Sequence, residues 1–281
     1  MKIGVVHVNT EVASGPYTEL ITSNLERAKA DGTELVHRYV RHLRRATDTA
    51  IAYPTLLNKV DVVTEMVALE RDGCDAVLVA CSGDPGVAEA RTLLDIPVIG
   101  PMEAAMGLVL GYGWRFGILT VDDRTWSSWL EQVVVSAGLS SRYGGQRQLV
   151  TPTAKIFTEG FENPDMVRDD INDRAREFAD MGVDAILIGS AGLSTFATYT
   201  GISRTVDPVM PIFDVISVGL KVAELRAELT ARLDVPVVSR AGWYSEYKPK
   251  DRDRVDALFG WTQKSDEAER LGGPMRSGVL R

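Results

Sequence analysis

Apolar runs and amphipathic stretches alternate along almost the whole of this chain. Lys2 to Val8 reads as a strand, Tyr17 to Ala30 as a helix and Glu34 to Val40 as a second strand. Leu56 to Arg71 carries helical periodicity. Asp75 to Cys81 (D-A-V-L-V-A-C) is a continuous apolar run, as in a parallel strand covered on both faces. Pro97 to Gly100 and Arg115 to Val121 are further strands, with helical Glu103 to Leu110 between them. Trp126 to Ala137, Asp165 to Met181 and Val215 to Leu233 read as helices, and Asp184 to Gly189 as another buried strand. This alternation predicts right-handed crossovers between parallel strands, and so an α/β fold.

The chain also repeats itself. Residues 73–83 (G-C-D-A-V-L-V-A-C-S-G) match 182–192 (G-V-D-A-I-L-I-G-S-A-G), and 2–9 (K-I-G-V-V-H-V-N) match 115–122 (R-F-G-I-L-T-V-D). Each copy then has a short strand, P-V-I-G at 97–100 or P-I-F-D at 211–214, entering a helix. Three matched segments in one order, at offsets of 109 to 114 residues, favour duplication over the general likeness of any two α/β halves. Duplicated lobes are expected to meet about a pseudo-twofold axis, with the carboxyl ends of their strands facing a shared cleft where ligands sit. The predicted first lobe takes residues 1–100 and 215–235, and the second takes 101–214. Residues 236–281, with Trp243, Tyr244, Tyr247 and Trp261 among charges and prolines, form an extension expected to pack on the lobes or on a neighbouring subunit. The last ten residues, 272–281, are expected to fray.

Composition narrows the partners. Of 281 residues 45% are hydrophobic and 25% charged, and a net charge of −8 gives no electrostatic reason to expect nucleic acid or an anionic membrane. No apolar run approaches the ~20 residues that span a bilayer. The start of the chain reads as a strand rather than a signal peptide. The expected location is therefore the cytoplasm, with Cys74 and Cys81 as free thiols whose spacing does not suit structural zinc. A dinucleotide fingerprint and a Walker-type loop are both missing.

The chemistry gathers at Cys81. It ends an apolar strand and opens C-S-G-D-P-G, with Pro85 suited to a first helical turn and Asp84 to its cap. Backbone N–H groups and a helix dipole there would lower the thiol pKa and hold a substrate anion. Gly83 and Gly86 would let the backbone approach that anion. The alternative is a small, buried, inert cysteine. Cys74 lies at the opposite end of the same strand, aligned with Val183, and reads as packing.

The segments A-C-S-G-D-P-G at 80–86, P-V-I-G-P-M-E-A-A at 97–105 and V-N-T at 8–10 resemble the aspartate/glutamate racemase superfamily, and within it the hydantoin racemase branch, from residue 2 to about residue 233. The resemblance implies two Rossmann-like lobes related by a pseudo-twofold, with the active site between them. It also implies a small-molecule substrate, a homo-oligomer, and chemistry without pyridoxal phosphate or metal. Racemases of this kind use two cysteines, one on each face of the substrate, at a carbon next to a carboxyl or carbonyl group. The first matches Cys81. Substrate-holding loops match Asn9 and Thr10, Ser82 and Gly83, and Ala191 and Gly192.

The second cysteine position holds Ser190, and a serine hydroxyl is rarely ionised unless a base activates it. Two-base racemisation needs comparable acids on both faces. The expected function is thus a cofactor-independent isomerase or racemase-type enzyme with Cys81 as acid/base or nucleophile and Ser190 as a polar partner. The alternatives are a single-cysteine decarboxylase, lyase or cis–trans isomerase on the same scaffold, or a non-catalytic binder of a small carboxylate. Asp122 and Asp123, which follow the strand matching Val8 and Asn9, offer a base at the cleft mouth or a helix cap before Trp126. Tyr53 is placed either to close over the substrate or to pack locally. Glu103 reads as a helix-capping residue, and His7, His37 and His42 as packed or solvent-facing.

Overall fold

The computed structural model describes residues 1–259. Residues Met1–Val238 form one compact unit and the chain from Ser239 a second. In chain order the first unit contains β1 (Lys2–His7), α1 (Glu11–Ala28), β2 (Glu34–Tyr39), α2 (Ala52–Arg71), β3 (Ala76–Val79), α3 (Val87–Ala90), β4 (Val98–Ile99) and α4 (Pro101–Val109). It continues with β5 (Phe116–Thr120), α5 (Arg124–Ser136), β6 (Tyr143–Gln148), α6 (Thr153–Thr158), α7 (Pro164–Asp180), β7 (Ala185–Ile188), α8 (Ala191–Tyr199), β8 (Ile212–Phe213) and α9 (Val215–Leu233). The second unit holds α10 (Pro249–Phe259), where the Tyr247 hydroxyl donates to the Asp251 carbonyl. Trp261 and the segment expected to fray lie outside the described residues.

Two four-stranded parallel sheets, ordered β2-β1-β3-β4 and β6-β5-β7-β8, make the two lobes of this α/β fold. The repeat read from the sequence is physical. Gly4 in β1 and Gly117 in β5 are equivalent, and each lies under a large side chain of the covering helix. A Cβ would stand 2.7 Å from Leu69 at Gly4 and 2.5 Å from Phe178 at Gly117. Asp75 accepts from the Lys2 amide at 2.7 Å, and its equivalent Asp184 accepts from the Trp114 amide at the same distance. Strands β3 and β7 are buried along their whole length, which explains their continuous apolar runs. The closing helices cross over: α4 leaves the first sheet to lie beside β7, and α9 leaves the second to lie beside β3, β4 and α4.

Sequence periodicity placed α9 at its observed ends, missed β6 and α8, and set the start of α1 too late. β6 (Y-G-G-Q-R-Q) is a polar edge strand with no apolar alternation to betray it. The helix α8 (A-G-L-S-T-F-A-T-Y) is buried over its first seven residues, so it lacks the polar face that marks an amphipathic helix. Helix α1 begins at Glu11 instead of Tyr17, with a break at Gly15 (φ 45°, ψ −149°), just before Pro16. A residue preceding proline is held out of the helical region, so regular periodicity begins only after it.

Candidate active site

A cavity of about 200 Å³ opens at the carboxyl ends of both sheets. From the first lobe it takes Val8 after β1 and Cys81 and Ser82 after β3. From the second it takes Val121 and Asp123 after β5 and Ser190 and Ala191 after β7. Tyr17 of α1, Trp126 of α5 and Phe157 of α6 add aromatic walls, and Thr47, Thr49 and Ala50 close it from the segment before α2. Among the described residues, no lysine, arginine or histidine lines it.

The Cys81 turn departs from the expected helix start. Its first hydrogen bonds are Ala80 N–H to the Val6 carbonyl at 2.8 Å and Asp84 N–H to the Cys81 carbonyl at 3.1 Å. Asp84 (φ 49°) and Gly86 (φ 78°) both adopt left-handed backbone, so the chain turns tightly before a four-residue α3 begins at Val87. With no helix aimed at it, the thiol is governed by burial. Cys81 is 6% exposed, and desolvation pushes its pKa up to about 12. The Gly83 amide pulls the other way, and Asp84 adds to the rise. The expectation of a thiolate stabilised by a helix N-terminus is therefore corrected: the resting group is a neutral thiol. The Tyr17 hydroxyl is raised by the same burial, with a smaller contribution from neighbouring Cys81.

Asp84 does not cap α3. Its carboxylate accepts from the Met102 amide at 3.0 Å and the Glu103 amide at 2.8 Å, so it caps α4 from outside that helix. The N-cap position of α4 is Gly100, where a Cβ would stand 2.6 Å from the Asp84 carboxyl carbon. Glycine is required there because the carboxylate occupies the space. Glu103, read from sequence as a capping residue, instead pairs with the buried Arg91 at 2.9 Å.

The Ser190 turn is the one that starts a helix. Ser190 is the N-cap of α8, and its Oγ accepts from the Leu193 amide at 3.4 Å. The Gly189 carbonyl beside it receives the Trp126 indole N–H and the Thr120 hydroxyl, the latter at 3.2 Å. Gly192 permits a close approach: a Cβ would stand 2.7 Å from Phe157 and 2.8 Å from Tyr17, both cavity walls.

Of the residues singled out in the sequence, Cys81, Ser82, Ser190 and Ala191 line the cavity. The Ser82 hydroxyl is buried with no hydrogen-bond partner among the described residues. Gly83 lines a small side pocket with Cys81, packed under Trp126 and Trp129. Asn9 is buried next to Val8, and the Thr10 amide donates to the Leu43 carbonyl at 2.8 Å; neither lines the cavity. Two others do not line it. Tyr53 is 69% exposed in the first turn of α2. Asp122 is exposed, with its carboxylate bound by the Thr153 amide at 3.0 Å and by the Thr153 hydroxyl, which holds its pKa below the usual range. Asp123 lines the cavity and caps α5 through the Trp126 amide at 3.0 Å. Sequence reasoning missed Tyr17, Thr47, Thr49, Trp126 and Phe157. They reach the cavity from four separate segments and carry no local signal.

A sequence model of the Asp/Glu/hydantoin racemase family matches residues 3–223. The chain belongs to this family. A hydantoin racemase from Pseudomonas sp. (strain NS671) is 29% identical over 231 residues, covering 82% of this chain and 87% of that protein. Another, from Rhizobium meliloti, is 27% identical over 63% of this chain and 68% of its own length. Among solved structures, an allantoin racemase from Klebsiella pneumoniae shares the fold at TM-score 0.69 and 24% identity, covering 88% of this chain and 94% of that one. Membership makes this a racemase-type enzyme. A double mutant of arylmalonate decarboxylase, glycine to cysteine and cysteine to serine, shares the fold at TM-score 0.54 and 14% identity, covering 80% of this chain and 92% of that one.

Proposed function

We propose that this racemase-family enzyme is a cofactor-independent isomerase acting at a carbon next to a cyclic amide carbonyl, as in a 5-substituted hydantoin. Cys81 would exchange the proton on one face, and Ser190 would be a polar partner on the other. The carrying observation is the cavity itself. Cys81 and Ser190 end the equivalent central strands of the two lobes and line one space, whose other walls are largely apolar and aromatic. A free amino acid would bring one or two carboxylates, and among the described residues no cation lines the cavity to pair with them, so burying them is costly. A cyclic diamide carries no full charge, and its polar edges suit hydroxyl and backbone groups such as the unpartnered Ser82.

The test is proton exchange on single enantiomers of hydantoins, allantoin, aspartate and glutamate in deuterated water. The expectation is exchange with the cyclic substrates, allantoin being itself a 5-substituted hydantoin, and none with aspartate or glutamate, the exchange being abolished in Cys81→Ala. Equal activity on aspartate would refute the cyclic amide assignment, and full activity in Cys81→Ala would refute the thiol.

A second reading rests on Ser190. A site with one thiol suffices to protonate a planar enediolate after loss of carbon dioxide, so decarboxylation of an aryl-substituted malonate is the competing reaction. Release of carbon dioxide from such a malonate, with no hydantoin exchange, would decide for it. The proposal includes a cytoplasmic homo-oligomer. Ile51, Tyr53, Leu56 and Leu57, each more than half exposed around the start of α2, support association of copies. Sedimentation of the purified chain as a monomer would remove that part.

A further inference from the structure

We propose that Asp123 is the second acid/base group of this site, serving the substrate face that the second lobe presents. The inference rests on the isomerase reading above and supplies what that reading lacks, a competent proton carrier opposite Cys81.

The placement follows from the sheet. Leu119 of β5 pairs with Ile188 of β7 in the parallel ladder. Asp123 lies four residues beyond the first and Ser190 two beyond the second, so both emerge at the carboxyl ends of neighbouring strands. The two loops are tied together. The Gly189 amide donates to the Leu119 carbonyl at 2.8 Å, and the Trp126 indole, three residues after Asp123, donates to the Gly189 carbonyl. Asp123 and Ser190 thus line the cavity from the second sheet and Cys81 from the first.

The remaining candidates are eliminated by chemistry. Among the described residues lining the cavity, the ionisable side chains are Tyr17, Cys81 and Asp123. Burial makes the Tyr17 phenol a still weaker acid than usual. Asp122 does not line the cavity, and its Oδ1 is taken up by the amide and hydroxyl of Thr153. Asp123 spends Oδ1 on the Trp126 amide, while Oδ2 accepts no hydrogen bond among the described residues. A carboxylate takes and returns a proton where an unassisted serine hydroxyl does not. The internal repeat shows the exchange: the equivalents are Cys81 and Ser190, Thr10 and Asp123, so each lobe carries one ionisable and one hydroxyl side chain with the positions traded.

The proton account balances. The Asp123 carboxylate removes the proton from the carbon next to the carbonyl, and the electron pair moves into the enolate. The neutral Cys81 thiol protonates the opposite face and becomes a thiolate. Transfer of one proton from Asp123 to Cys81 through solvent restores the starting state. The reverse reaction uses the Cys81 thiolate as base and the protonated Asp123 as acid.

The test is Asp123→Asn, alone and combined with Ser190→Cys, on both enantiomers of a 5-substituted hydantoin in deuterated water. Loss of optical rotation and deuterium uptake are read separately. Asparagine is as good an N-cap as aspartate, so α5 is preserved and circular dichroism should not change. The expected loss of racemisation is about 100-fold or more, the usual range for removing a general acid/base. One enantiomer should still exchange deuterium with retained configuration, a readout that a collapsed site would also lose. Ser190→Cys in the Asp123→Asn background should recover at least about tenfold of that loss by supplying a thiol on the same side. Racemisation by Asp123→Asn at the wild-type rate, or no rescue in the folded double variant, overturns the proposal. A wild type that neither racemises nor exchanges any hydantoin refutes the isomerase reading and this inference with it, a result distinct from an active wild type and an equally active variant.

Discussion

The two strand-to-helix turns of this molecule hold equivalent positions in the two sheets and are built in opposite ways. After β3 the chain makes a left-handed turn through Asp84 and Gly86, reaches only a four-residue helix, and leaves Cys81 buried and neutral. After β7 the chain passes directly into the nine-residue α8, with Ser190 as its cap. The helix dipole therefore sits beneath the hydroxyl and not beneath the thiol. A second exchange goes with the first. Helices α4 and α9 both begin with a carboxylate accepting two backbone amides. For α9 it comes from the N-cap residue Asp214, through the amides of Ile216 and Ser217, and for α4 it comes from Asp84 in the Cys81 turn. Equivalent positions thus constrain the backbone path closely and the chemistry hardly at all.

The widest test of this contrast is activity. Cys81→Ala should lower turnover by about 1,000-fold or more, because a proton carrier is removed, whereas Ser190→Ala should lose about tenfold, the worth of one hydrogen bond. Steady-state rates on a hydantoin measure both, and similar losses would show the two turns to be chemically equivalent. Next comes thiol reactivity. In Ser190→Cys the new thiol would stand at a helix N-terminus, so at pH 7.5 iodoacetamide should modify residue 190 at least about tenfold faster than Cys81. Peptide mass spectrometry reads both sites at once, and faster labelling of Cys81 would show that burial does not govern it.

The caps give a smaller difference. Asp84→Ala should cost about 2 kcal/mol in urea unfolding and also reduce activity, since Asp84 lies in the Cys81 turn; Asp214→Ala should cost about as much, two amides and the Thr198 and Ser217 hydroxyls losing their partner, with activity kept. Equal effects on activity would separate Asp84 from the site.

The smallest effect is acid sensitivity confined to one lobe. His7 is buried against His37 (Nε2 to Nδ1, 2.9 Å), and burial, then the His37 charge, depresses its pKa to about 3. The unfolded chain binds that proton near pH 6.5, so the stabilisation is whole above pH 6.5 and is lost as pH falls toward 3, by at most about 1.4 kcal/mol per unit. Asp84 acts with the opposite sign. Burial raises it to about 7, so its contribution is whole below about pH 4 and is lost as pH rises through 7. The equivalent of His7 is Thr120, which does not titrate. Amide exchange at pH 5 against pH 7 should therefore show first-lobe strands losing protection before second-lobe strands in Asp84→Asn, and His7→Asn should erase the difference.

Several features were legible because they are local. The buried runs 76–79 and 185–188, the helix 215–233, the repeat, and the family likeness around Cys81 all follow from periodicity or short segments. Tertiary structure alone decided three things. A thiol's ionisation depends on whether a helix starts at the turn and on what covers it, and C-S-G-D-P-G does not reveal that the helix it opens stops after one turn. Asp84 could not be assigned to α4 because its acceptor geometry spans 18 residues and a crossover. Asp122 and Asp123 are adjacent and identical in type, yet opposite orientations along a strand end leave one bound to Thr153 and off the cavity lining and put the other on it. The chain's sequence determined which two lobes form and where they end in reactive turns. Which side chains share the space between those turns was decided by packing, because that space is assembled from strand ends and helices far apart in the chain.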